Sequence, residues 1–132
     1  MKIITLFLFA FLLSTTAFAQ KQHSTDTTAI RTISADGSHY IASNGTVYKK
    51  GGTIQVGAGT NTNGLFRYCY IMLGNLVIKT MFMPAHYSGE ILVIQEFKRE
   101  TMGNKRVYAV VKKPNGKVAL FIEAGLASGE LK

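Results

Sequence analysis

The sequence has one cysteine, no tryptophan, and seven acidic residues against fifteen lysines and arginines. A lone cysteine, Cys69, excludes an internal disulfide, so the fold must be held by packing alone. Lying between Tyr68 and Tyr70 in an apolar strand pattern, Cys69 is expected to be buried and unreactive. Without tryptophan, the side chain that stacks best on sugar rings is missing. The three histidines, His23, His39 and His86, form neither an HxH nor an HExxH spacing, and there is no CxxC pair. No metal site or cofactor is therefore expected. Long apolar runs are missing too, apart from one near the start. Ile3–Leu13 is interrupted only by Thr5 and is about half the length needed to cross a bilayer.

That run has the shape of a secretory signal: Lys2 before it, and Ala17-Phe18-Ala19 after it as a small-x-small cleavage site. Cleavage after Ala19 puts Gln20, not a lipid-accepting cysteine, at the mature start. The expected product is exported to the periplasm or the extracellular space, with no membrane span after cleavage. About 113 residues remain, enough for one domain with a modest core. Loss of Lys2 leaves fourteen cations against seven acids, a net charge of +7. Such an excess favours acidic partners, whether polyanionic glycans, anionic lipid headgroups or nucleic acid, or serves solubility alone.

Residues 20–38 are polar and rich in Ser and Thr, and read as a flexible N-terminal arm. Ile30 and Ile33 are its only large apolar residues, able to dock a short turn or edge strand. Residues 39–132 read as a β-domain. Short apolar runs alternate with turn signals, the strongest being Asn44-Gly45 and Pro114-Asn115-Gly116. Strands are predicted at 39–42, 46–49, 53–56, 65–72, 76–83, 91–98, 106–112 and 117–122. A short helix at 123–128 should stop at Gly129. The expected fold is all-β: a small, partly open barrel or compact sandwich of six to eight short antiparallel strands with a short C-terminal helix.

One set of residues carries a resemblance. Tyr48-x-x-Gly51-x-x-Ile54-x-x-Gly57-x-Gly59, Asn63-Gly64-x-Phe66-x-Tyr68, Tyr87-Ser88-Gly89 and Ala127-Ser128-Gly129-Glu130-Leu131 are similar to a group of short exported bacterial β-domain proteins with no assigned activity. The resemblance covers residues 40 to 131. It implies the exported compartment and the β fold, and it brings no catalytic residue.

Two groups of residues are candidates for ligand binding. Phe66, Tyr68 and Tyr70 are spaced by two and are expected on one strand face. Such a row beside Arg67 could stack on bases or sugars, although aromatics usually fill the core of a strand. The RNA-binding module that this row faintly echoes has helices with no counterpart here, so nucleic acid is disfavoured. The second group is basic: Lys98-Arg99 and Lys105-Arg106 flank a connection at 100–105, and Lys112-Lys113 sits one strand length away, roughly 23 Å. Lys98, Arg99, Lys105 and Arg106 are expected to form a solvated basic rim.

Enzyme signatures are weak. Gly59-x-x-x-x-Gly64 is half of a phosphate loop, but Leu65 and Phe66 stand where Lys and Ser or Thr are needed. Gly57-x-Gly59 lacks the third glycine of a dinucleotide fingerprint, because residue 62 is Thr. His86, Ser88 and Glu90 are the nearest approach to a catalytic group, and no nucleophile elbow accompanies them. The expectation is a non-enzymatic binding or structural module of the cell envelope or extracellular space, with an anionic polymer or a protein as partner. The alternatives are a small hydrolase or inhibitor-like protein with a cleft between the 57–64 and 84–90 loops, and a basic polyanion-binding domain.

Overall fold

The computed structural model describes residues 31–132. The signal segment at 1–19 and residues 20–30 of the arm lie outside the described residues. The elements run β1 (Thr32–Ile33), β2 (His39–Ile41), β3 (Val47–Lys49), β4 (Thr53–Gln55), β5 (Cys69–Leu73), β6 (Leu76–Phe82), a 3₁₀ turn (Ala85–Tyr87), β7 (Ile91–Arg99), β8 (Val107–Lys113), β9 (Gly116–Phe121) and α1 (Ile122–Ser128). The protein is all-β, with nine strands among the described residues rather than six to eight. The extra one is β1, a two-residue edge strand inside the polar arm, paired with β2 through Ile33↔Tyr40.

Two antiparallel sheets form. One is β1-β2-β3, the other β4-β7-β8-β9-β5-β6. Neither closes into a barrel, and the architecture is a partly open sandwich. The sheets are joined where the β3–β4 turn meets β7: Gly51 N–H donates to the Ile94 carbonyl at 2.7 Å, and Ile94 N–H to the Gly52 carbonyl at 2.9 Å. The β7–β8 register shifts next to that point, between Ile94 and Glu96. The extra residue of such a bulge bends a strand toward its neighbour.

Alternation along β8 and β9 shows why the sheet is apolar on both faces. Val107, Ala109, Val111, Val118 and Leu120 face the main core, with Tyr40, Tyr48, Ile54, Phe66, Ile94 and Phe97. Each large side chain fully buried there contributes roughly 1.5–3 kcal/mol. Tyr108, Val110, Ala119 and Phe121 point the other way, into a second cluster with Tyr70 and Met72. This second face is covered by β6. The β5–β6 register slips between Tyr70 and Met72, and β6 curls back so that Val77 and Phe82 pack on the cluster. Side chains rather than a ladder connect β6 to the β7 end: Lys79 bonds Glu100, and Lys98 Nζ lies 3.4 Å from Asn75 Oδ1.

The helix α1 lies so close to the chain after it that a Cβ on Gly125 would sit 2.6 Å from the Leu131 side chain. Gly129, in the left-handed conformation at φ 82°, ends it by donating to the Leu126 carbonyl. This is the predicted stop. The chain then turns back, and Leu131 bridges Val56 at the edge of the larger sheet.

Candidate functional site

The predicted aromatic row does not exist as a row. Leu65–Tyr68 is not strand, and β5 begins only at Cys69. The physical reason is Glu130, which is fully buried. Its carboxylate accepts the backbone N–H of Arg67 at 2.6 Å, of Tyr68 at 2.9 Å and of Thr60 at 3.1 Å, together with the Thr60 hydroxyl. Donors that a strand ladder would use are therefore taken by a side chain. Phe66 is consequently buried in the main core, Tyr70 in the second cluster on the other face, and Tyr68 half-buried at the edge of that second cluster. Tyr70 packs edge-on to Phe121 at 5.4 Å.

Backbone crowding explains the glycines. A Cβ on Gly57 would lie 2.2 Å from the Gly129 carbonyl oxygen, and one on Gly59 would lie 2.0 Å from the Gly64 carbonyl oxygen. They permit close backbone approach, and nothing in the arrangement calls for a phosphate. The Cys69 thiol is 4.0 Å from Glu130. Burial, reinforced by that carboxylate, pushes it far above the ordinary thiol range, so it stays protonated and inert.

The alternative catalytic group does not assemble. His86 stacks on Tyr87 with ring centroids 4.3 Å apart, while the Glu90 carboxylate binds Lys113 instead of His86. Among the described residues no three His, Cys, Asp or Glu side chains converge as metal ligands.

The basic residues do converge, in part. A cleft of about 230 Å³ lies between the β7–β8 end and α1, lined by Arg31, Arg99, Lys105 and Arg106 around Tyr40, Val107, Phe121 and Glu123. Arg99 comes from the end of β7 and donates from Nη1 to the Lys105 carbonyl at 2.9 Å, which holds the connection's return limb. Arg106 is anchored: its guanidinium bonds Glu100 at 3.1 Å and stacks 4.6 Å above the Phe121 ring. Neither Arg99 nor Lys105 has a carboxylate partner among the described residues. Lys98 does not join them. Strand alternation turns it to the other face, where it meets Glu96 at 3.4 Å and Asn75. Of the rim predicted from Lys98, Arg99, Lys105 and Arg106, three members share the cleft.

Three further residues escaped the sequence. Arg31 lies 3.9 Å from Glu123, and Glu123 accepts the Tyr40 hydroxyl at 2.7 Å, the Ser43 N–H at 2.9 Å and the Ser43 hydroxyl. Burial pushes the Glu123 carboxyl up, but hydrogen bonds from Ser43 and Tyr40 outweigh it and leave the group below the usual carboxylate range. Burial, then Glu123 itself, raises the Tyr40 phenol far above its ordinary value. At neutral pH the lining thus carries four cations against one carboxylate.

Backbone strain is concentrated at the same place. Among the described residues only Arg31, at φ 63°, and Lys105, at φ 49°, are non-glycine residues with positive φ. Both line the cleft. Left-handed backbone at a side chain with a Cβ is disfavoured by about 1 kcal/mol or more.

Together these features define a partly open β-sandwich with a strained, cationic cleft at one end. Comparison of the chain with protein-family models, curated proteins and solved structures returns no match.

Proposed function

We propose that the protein is an exported binding module that holds an anionic group, phosphate or carboxylate, of an envelope polymer in the Arg31–Arg99–Lys105–Arg106 cleft. The observation that carries this reading is the strain. Two cationic residues are held in an unfavourable backbone conformation, and both line one cleft. Outliers of this kind gather where a side chain must be aimed at a ligand. Arg99 and Lys105 have no carboxylate partner among the described residues and can meet an anion, and a guanidinium suits oxygens in pairs. One further point favours binding over catalysis. Tyr40 is held neutral and Glu123 ionised, so neither changes protonation near neutral pH as a general acid or base would. Export rests on the Lys2–Ala19 signal pattern, and among the described residues no helix is long and apolar enough to cross a membrane.

The test is calorimetric titration of the purified protein with soluble polyphosphate and with polyglutamate, at low and at high salt. Binding at low salt that fades at high salt is expected. The Arg99→Ala/Lys105→Ala double variant should bind about tenfold or more weakly. Equal affinity in the double variant would remove the cleft from the reading.

A further inference from the structure

Three of the most exposed large apolar side chains sit at neighbouring hairpin tips. Met102, 82 % exposed, crowns the β7–β8 connection; Leu73 at 58 % and Leu76 at 69 % flank the Gly74-Asn75 turn of β5–β6. The two tips are held side by side by Lys98 to Asn75 and Lys79 to Glu100. Leu76 and Met102 line one shallow groove of about 370 Å³ with Arg99 and Val77. A soluble domain gains nothing by placing its most exposed methionine and leucines at adjoining tips, and such clustering marks a contact surface.

The surrounding charge says what kind of surface. Met102 lies in sequence between Arg99, which shares its groove, and Lys105; these are the two cations of the cleft that have no carboxylate partner among the described residues. Apolar tips with cationic shoulders match a bilayer whose interface offers acyl chains below and phosphates above. Resting on the cleft reading, we infer that this end of the molecule docks on an anionic lipid leaflet. Leu73, Leu76 and Met102 enter the headgroup–acyl boundary, and Arg99 and Lys105 engage lipid phosphates. Lys79 and Lys98, each already paired with a glutamate, keep the tips adjacent.

The experiment is co-sedimentation with phosphatidylcholine vesicles and with vesicles containing phosphatidylglycerol, alongside the polyphosphate titration. The protein should sediment with the anionic vesicles alone. The Leu73→Ser/Leu76→Ser/Met102→Ser variant should lose vesicle binding, roughly tenfold for each side chain withdrawn, while still holding polyphosphate. A polarity-sensitive label on Met102→Cys should shift to the blue on anionic vesicles. Buried Cys69 will not compete for the label. Unchanged sedimentation of the triple variant, or an unshifted label, would overturn the inference. A protein that holds polyphosphate but ignores vesicles would overturn it too and leave the cleft reading standing. Binding to neither would end both.

Discussion

Glu130 and Glu123 lie seven residues apart, and each carboxylate gathers donors from a distant part of the chain. Glu130 reaches back 63 residues to Arg67, and Glu123 reaches back 80 to Ser43. One is sealed, the other faces a cleft. Glu130 has no cationic partner among the described residues and is satisfied by backbone N–H groups and a hydroxyl. Glu123 has Arg31 near it and solvent on one side. Similar hydrogen-bond chemistry therefore does two jobs. With nowhere for a ligand to enter, the carboxylate becomes a fold determinant. At an open cleft it fixes local charge and aims neighbouring side chains.

Removing the sealed member should have the largest effect. Glu130→Ala leaves three partly buried backbone N–H groups without their acceptor and a cavity where the buried side chain was, and should cost about 3–5 kcal/mol, read as a shift in the urea midpoint. Gly57→Ala attacks the same junction from the loop side and should cost about 2–3 kcal/mol through overpacking, read as a lowered melting temperature with binding intact. If Gly57→Ala were neutral, the loop would not be clamped as tightly as Glu130 implies.

Glu123→Gln sharpens the contrast. It should cost only about 1 kcal/mol at this partly exposed position, and it should raise polyphosphate affinity at low salt by removing the cleft's one negative charge. Its pH signature is distinct. The folded-state pKa of Glu123 lies below the unfolded one, so its stabilisation is fully present above about pH 4.3 and lost as pH falls through the folded value. Acid unfolding of the variant should therefore be less steep than that of the parent, while Glu100, depressed in the same sense, still contributes. The smallest effect belongs to Lys79→Ala. Its bond to Glu100 is solvent-facing, and the loss should be under about 1 kcal/mol by urea titration.

Much of the sheet was legible. Alternation in β7, β8 and β9, the Asn44-Gly45 turn and the Gly129 stop are local signals, and local signals survive into the fold. The aromatic row failed because its period-two spacing says nothing of an acid 62 residues later that takes the Tyr68 N–H. A hint existed: in a chain with seven acids, one of them stands between Gly129 and Leu131, just past the glycine that ends the helix. The cleft was half legible. Arg99, Lys105 and Arg106 announce themselves as basic pairs at a hairpin end, and alternation explains why Lys98 parts from them. Arg31, Tyr40 and Glu123 could not be found, because only tertiary packing brings three separate elements to that hairpin.

The clamp around Glu130 also governs when the fold can be completed. Thr60 waits for a partner seventy residues further along, so a chain emerging from its amino end keeps the 57–68 loop unsealed until Glu130 has been made. Closure over such a separation is slow and late. The 57–68 loop and the 129–131 segment therefore lock together in one late event, and neither can be sealed without the other.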